Sequence, residues 1–270
     1  MTKLNKLELK DNKNKVVAFL DVLGFKTILN NRERTQLYFN EVISEIENLK
    51  KLKTTQGKIL HAVLISDSVV LSYPYEDSII NLRELIVAVA KIQSRLMFHG
   101  IWLRGAITIG ELEIQNYKDA QVVVGQGLAD AYELETRLAI YPRVIIDARV
   151  YQRLGISRGD LQKRLVDENS SLKEPLYDPM GDDRREGFAL NSLLISDAVW
   201  VNYLEFALEN ESKIRSLCEI IKSDMYSSQT HFTKYKWVQS YLHAMLRRDH
   251  TIDRLGPELV YKLSEVIQDI

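Results

Sequence analysis

Val16-Val17-Ala18-Phe19-Leu20-Asp21-Val22-Leu23-Gly24-Phe25 decides how the rest of the chain is read. Five apolar residues in succession, with no polar residue at alternate positions, describe a short strand buried in the middle of a sheet. The run ends in an acid, Asp21, and Gly24 then turns the chain toward a helix. Over 28–52 the residues Leu37, Val42, Ile43, Ile46 and Leu49 fall near helical spacing, and the polar stretch 30–35 divides the segment or caps it. Apolar runs at 59–65 and 69–73 are separated only by Ser66-Asp67-Ser68, the pattern of a tight hairpin with an acid at its tip. An amphipathic helix follows over 78–97, with apolar residues at 82, 85, 86, 89, 92 and 96. Beyond it the pattern reads strand (101–109), turn (Gly110-Glu111), strand (121–124), helix (128–138) and strand (144–146).

This β-α-β-β-α-β order, with extra strands before the last helix, predicts an α+β, ferredoxin-like antiparallel sheet with helices on one face. Residues 1–14 form a polar N-terminal segment, 15–150 the core, and 151–270 a mainly helical C-terminal extension. Helical patterns there cover roughly 191–224, 229–248 and 256–268, after a long polar loop at 169–187.

Composition narrows the function classes. Among 270 residues, 36 Lys+Arg oppose 37 Asp+Glu, so no basic field suggests passive nucleic-acid binding. With one cysteine, Cys218, neither an intrachain disulfide nor a cysteine-based zinc cage can form. The N-terminal 15 residues lack an apolar core and do not read as a secretory signal, and no apolar run approaches the ~18–20 residues of a membrane span. A cytoplasmic enzyme or binding protein is the expectation.

Asp21 at a strand end and Asp67 at the tip of the neighbouring hairpin meet at one edge of such a sheet. Either acid alone is equally at home as a strand-end or helix-capping residue. Together they repel, and a shared divalent cation relieves the repulsion. Hard oxygen ligands favour Mg²⁺ or Mn²⁺. Gly24 and Phe25 add a strand-to-helix turn whose backbone N–H groups suit phosphate oxygens.

Phe19 to Phe25 (FLDVLGF) resembles the F-x-D-I-x-G-F signature of class III nucleotidyl cyclases. Ile65-Ser66-Asp67-Ser68 is similar to that family's I-G-D-S motif, with Ser66 in place of glycine. Arg104 to Glu111 (RGAITIGE) resembles its R-x-G-I-H-x-G-E strand, and Gly125 to Glu135 (GQGLADAYELE) its G-x-x-V-N-x-A-x-R-x-E helix. There are departures. With Glu135 aligned on the final Glu, the family's transition-state Asn and Arg positions hold Ala129 and Glu133. Its two purine-reading positions hold Val63 and Val122, which carry no hydrogen-bonding side chain. Its phosphate-binding Lys has no counterpart among these motifs.

FLDVLGF, SDSVVLS, RGAITIGE, GLADAYELE and the late KYKWVQSYLH together resemble the Pycsar pyrimidine cyclases of bacterial anti-phage defence. That resemblance implies a homodimer with interfacial active sites and two Mn²⁺ (or Mg²⁺) ions per site, converting UTP to 3′,5′-cyclic UMP and pyrophosphate. CTP, giving cyclic CMP, is the alternative. It also implies an effector that senses the cyclic pyrimidine, with no nucleic acid or membrane partner. Asp21 and Asp67 are the expected catalytic and metal ligands, with the Val22 carbonyl a backbone ligand. Phe19, Gly24, Phe25, Val63, Arg104 and Val122 are the expected nucleotide-binding set.

Arg104 has two possible uses, a phosphate contact or an ion pair with a carboxylate. Glu133 is expected to pair with Arg137 four residues on. His61, His99, Tyr235, Trp237 and Tyr241 read as structural, and the acid-base cluster at 182–185 as a solvated loop able to close over phosphates. Two rival readings stand: other nucleotidyl chemistry on the same fold, and a catalytically inactive nucleotide-binding or dimerisation module.

Overall fold

The computed structural model describes residues 14–51, 60–76, 79–117, 120–166, 173–179, 198–227 and 229–270. Most of the N-terminal segment, most of the 169–187 loop and the whole cluster at 182–185 lie outside them.

β1 (Asn14–Val22) is followed by α1 (Phe25–Leu29) and α2 (Arg32–Lys51), then β2 (His61–Ile65), β3 (Ser68–Pro74), α3 (Ile79–Met97) and β4 (Leu103–Glu111). The four strands pair in the order β2-β3-β1-β4, every neighbour antiparallel. That is the ferredoxin-like, α+β arrangement expected from the order of elements. The polar stretch after Leu29 does split the first helical segment. Asn31 caps the second helix, its Oδ1 accepting from the Arg34 N–H at 3.0 Å.

Three features differ from the sequence reading. First, the sheet is not purely antiparallel, because β7 (Val144–Ile146) lies parallel to β4. It arrives through the β5 (Glu113–Tyr117) and β6 (Ala120–Val124) hairpin, a separate two-stranded sheet, and the helix α4 (Gln126–Leu138). A parallel neighbour needs such a crossover.

Second, helices cover both faces. Consecutive residues Val16 to Leu20 are all buried, which requires cover above and below the strand. α4 lies on the face of Val17 and Phe19, where Phe19 meets Tyr132 edge to face at 5.6 Å. It approaches closely because a Cβ on Gly110 would stand only 2.7 Å from the Gly127 Cα, and Thr108 Oγ1 donates to the Gly127 carbonyl at 2.8 Å. α3 packs against β1, β3 and β4 from the other side, with α2 against it.

Third, 191–224 is not one helix. After α5 (Ala148–Leu154) and α6 (Arg158–Leu165), the short strands β8 (Leu176–Tyr177) and β9 (Val199–Val201) join the main sheet beyond β7. A 3₁₀ turn (Leu204–Phe206) follows, and helix begins only at α7 (Glu211–Tyr226). The run Val199-Trp200-Val201 is β-branched and aromatic, and it is wholly buried, so sheet pairing overrides the helical pattern around it. α8 (Gln229–Leu246), α9 (Asp249–Leu255) and α10 (Pro257–Gln268) complete the chain.

The C-terminal helices are anchored by aromatic packing. Trp237 stacks on Tyr141 (5.4 Å, 5° between planes), and Trp200, Tyr177 and Tyr241 pack around it. The buried Arg143 guanidinium sits 5.2 Å from the Trp200 ring and 5.8 Å from that of Trp237. Tyr235, Trp237 and Tyr241 are therefore core residues, in keeping with their structural reading. Among the described residues, no helix is long and apolar enough to cross a membrane.

Candidate active site

Asp21 stands opposite Ser68 on β3 and Arg104 on β4. Ser68 directly follows Asp67, so the pairing register alone carries both acids to one end of the sheet. The hairpin between β2 and β3 turns on two residues, Ser66 and Asp67, and Ser66 has φ 57°. This is the left-handed region that favours glycine. The Tyr38 hydroxyl, reaching from α2, donates to the Asp67 carbonyl at 3.2 Å and ties the turn to the helix layer.

Arg104 Nε and Nη2 donate to Asp21 Oδ2 at 3.2 and 3.1 Å. Its Nε also lies 2.6 Å from Oε1 of Glu135, a residue 2% exposed on α4. That approach is an ion pair without hydrogen-bond alignment, leaving Glu135 Oε1 with no hydrogen-bond partner among the described residues. Of its two possible uses, Arg104 thus takes the carboxylate pair. Glu133, exposed on the opposite side of α4, pairs with Arg137 at 2.9 Å as its spacing implied.

The electrostatics follow from this crowding. Burial pushes the Asp21 carboxyl above its ordinary range, Asp67 adds to the shift, and Arg104 and Ser68 hold it back. Burial likewise raises Glu135, partly offset by Arg104. The Tyr38 phenol is raised by burial, with Asp67 and Asp21 contributing. Arg104 thus meets two carboxylates, Asp21 and Glu135, and the Asp67 carboxylate lies near enough to Asp21 to act on it.

Asp21 and Asp67, two acids close enough to repel, and a backbone carbonyl such as that of Val22 are hard oxygen donors of the kind a divalent cation takes. Among the described residues no group of three or more His, Cys, Asp and Glu side chains is placed to hold a metal ion. Any cation held here keeps coordination positions for water or substrate oxygens.

Gly24 caps α1 in the left-handed conformation (φ 72°), and its carbonyl accepts from the Thr27 N–H at 2.8 Å. Its open surroundings leave room for a ligand at the turn. Phe25, just behind it, is buried against Tyr38 and Phe39. Phe19 packs on Tyr132, as described above. Val63 lies on β2 opposite Val70, and Val122 on β6 opposite Gln115, so the two valines belong to different sheets. Ala129 is exposed on α4.

Four residues at this sheet end escaped the sequence reading as members of the site. Ser68 was readable from the hairpin register with Asp21. Glu135 was visible as a motif position, but not as the buried partner of Arg104. Tyr38 and Lys234 carry no local signal. Lys234, on α8, reaches the site only through the tertiary fold, where Arg104 acts on its charge.

No protein-family model and no curated protein matches the chain. Among solved structures it is similar to the guanylate cyclase domain of RhGC from Catenaria anguillulae in complex with GTP (15% identity, 54% of this chain and 84% of that one, TM-score 0.42). It is similar also to the guanylyl cyclase Cya2 (12% identity, 71% and 92% covered, TM-score 0.43). A third is the adenylyl cyclase CyaB from P. aeruginosa (14% identity, 71% and 93% covered, TM-score 0.41).

Proposed function

We propose that the protein is a nucleotidyl cyclase that converts a pyrimidine nucleoside triphosphate, UTP in the first instance and CTP as the alternative, to its 3′,5′-cyclic monophosphate and pyrophosphate. The observation that carries this reading is the meeting of Asp21 and Asp67 at one end of the sheet, with Arg104 paired to Asp21 and Glu135. Four cyclase-like motifs, in order across 19–135, give that cluster its chemistry.

In this reading Asp21 and Asp67, with the Val22 carbonyl, hold Mn²⁺ or Mg²⁺, two ions per site. Such cations supply Lewis-acid activation of the ribose 3′-hydroxyl and neutralise charge on the triphosphate. The chain's own residues prepare the ground. Arg104, held between Asp21 and Glu135, fixes the orientation of the Asp21 carboxylate. The Gly24 turn is the part of the site whose backbone would approach phosphate oxygens. Phe25 and Tyr38 stiffen that turn and the Asp67 tip from behind.

The absence of hydrogen-bonding side chains at Val63 and Val122 supports a pyrimidine over a purine. By the same resemblance the active unit is a homodimer with sites at its interface, and the cyclic product signals to an effector in anti-phage defence. Incubation of the protein with UTP, CTP, ATP and GTP separately, each with Mn²⁺, and mass spectrometry of the products tests the reading. A cyclic pyrimidine is the expected product. Cyclic purine alone would overturn the valine argument, and no product from any nucleotide would favour an inactive module.

A further inference from the structure

The far end of the sheet carries a cavity remote from Asp21 and Asp67. Ser68 on β3 pairs with Asp21 at the acidic end of the sheet, and Pro74 pairs with Lys15 at the other. Tyr75 follows Pro74, so it lies roughly 20 Å from the two aspartates at the rise of an extended strand. β7 runs parallel to β4 toward that same end and delivers α5 and α6 there. Between these helices and the start of α3 is a cavity of about 480 Å³, within the range of small-molecule sites.

The frame of the cavity is pinned. The Tyr75 N–H donates to the Asn14 carbonyl at 2.9 Å, and Asn81 Nδ2, on α3, donates to the Pro74 carbonyl at 2.7 Å. Gly155, in the left-handed conformation (φ 61°), ends α5 and lets the chain turn directly into α6. Leu161 and Leu165 are buried beneath α6, which packs on α3.

Two kinds of side chain line the space. Tyr75, Ile79, Ile80, Leu154 and Ile156 are each half-buried, and their remaining apolar surface faces the cavity. Arg153 and Arg164 come from different helices, α5 and α6, and complete the wall. Among the described residues no carboxylate lines the cavity with them, and neither arginine makes an ion pair. Asp160, one turn before Arg164, instead accepts from the Ser157 hydroxyl at 2.6 Å.

We propose that this cavity binds a small aliphatic carboxylate, its body against the apolar wall and its head across Arg153 and Arg164. A carboxylate matches the planar fork of a guanidinium. A bare inorganic anion would leave the aliphatic wall uncovered, and a neutral hydrocarbon would leave both guanidiniums without a partner. The site is separate from Asp21 and Asp67 and does not depend on the cyclase reading.

The test is calorimetric titration of the full chain with octanoate. A Kd on the order of 1 mM or below is expected for a ligand of about ten heavy atoms. Acetate, which keeps the head without the body, and octanol, which keeps the body without the charge, should each bind at least about tenfold more weakly. Arg153→Met and Arg164→Met should each weaken octanoate binding about fivefold, as loss of one charged contact at an exposed position. Ile156→Glu, which sets an acid in the cavity, should abolish it. Lys163→Met, beside Arg164 but outside the lining, should bind as wild type, and UTP with Mn²⁺ should leave the octanoate affinity unchanged.

No octanoate binding by the unaltered protein, or wild-type affinity in both arginine variants, would overturn the proposal. Octanol or acetate binding as tightly as octanoate, an equal loss in Lys163→Met, or displacement by UTP with Mn²⁺ would do the same. Arginine-dependent binding of phosphatidylglycerol vesicles without octanoate binding would replace the cavity by a membrane-surface contact.

Discussion

Arg104 is the basic residue that Asp21 and Glu135 share. Its guanidinium lies between Asp21 and Glu135 with about a quarter of the side chain exposed (27%). Removing it strands two poorly solvated carboxylates next to a third. Breaking a buried ion pair in this way costs ~3–5 kcal/mol, and partial exposure lowers that toward 2–4. Arg104→Met is therefore expected to lose about 2–4 kcal/mol of stability in metal-free buffer, measured by urea unfolding. Because the same acids are proposed to hold a cation, Mn²⁺ should recover part of that loss. It should also stabilise the wild-type protein, by about 2.7 kcal/mol at a hundredfold excess over Kd. An unfolding midpoint indifferent to Mn²⁺ in both proteins would contradict the cation-binding reading of Asp21 and Asp67.

The hairpin β2-β3 shows how a tight turn can be built on an unfavourable residue. Ser66 adopts the left-handed conformation that glycine would take without strain. Left-handed backbone costs a non-glycine residue about 1–2 kcal/mol, while glycine loses about 0.5–1 kcal/mol more entropy on folding. Ser66→Gly should accordingly stabilise the protein by roughly 0.5–1 kcal/mol in urea unfolding. A destabilised variant would show that the Ser66 side chain contributes more than its strain costs.

Elements whose burial is written into a local pattern were legible. The continuous apolar run of β1, the twin runs around Ser66-Asp67-Ser68 and the 3.6-residue period of α3 each announced their place. The meeting of Asp21 and Asp67 followed from strand order alone. What was not legible depends on distant partners. β8 and β9 have two and three residues, too few for a period, and exist because β7 offers them an edge. β5 escaped notice because Glu113-Ile114-Gln115-Asn116 is mostly polar, and its pairing with β6 defines it. Lys234 comes to Arg104 across 130 residues of chain, which no local spacing can encode.

At the scale of the whole molecule, the C-terminal helices are continuous with the sheet through two buried clusters. One is the aromatic group around Arg143. The other is charged: His250 Nε2 meets Glu205 Oε2 at 3.0 Å and its Nδ1 lies 3.4 Å from Glu174 Oε1, while Arg254 donates to Glu205 Oε1 at 2.8 Å. These contacts hold α9 to the 3₁₀ turn and to the residue pair leading into β8. Burial alone would raise Glu205, but His250 and Arg254 hold it below the usual carboxylate range.

Burial opposes the charged form of His250, but the hydrogen bonds to Glu174 and Glu205 outweigh it and push its pKa up to about 9. The folded-state value lies above the unfolded one, near 6.5. The stabilisation is thus fully present below about pH 6.5 and disappears as pH rises through about 9. Each pH unit between those midpoints is about 1.4 kcal/mol, so a loss on the order of 2–3 kcal/mol is expected between pH 6.5 and 9.5. Unfolding free energies across that range should show the fall, and His250→Asn should flatten it. An unchanged slope in the variant would place the titration elsewhere.

If Asp21 and Asp67 together make this protein a metal-dependent cyclase, loss of one acid ends product formation. Wild type and Asp67→Ala, matched in far-UV circular dichroism, are incubated with UTP or CTP and Mn²⁺, and 3′,5′-cyclic product is quantified by mass spectrometry. A cyclic pyrimidine is expected from wild type and none from Asp67→Ala. Equal product from both proteins would contradict it.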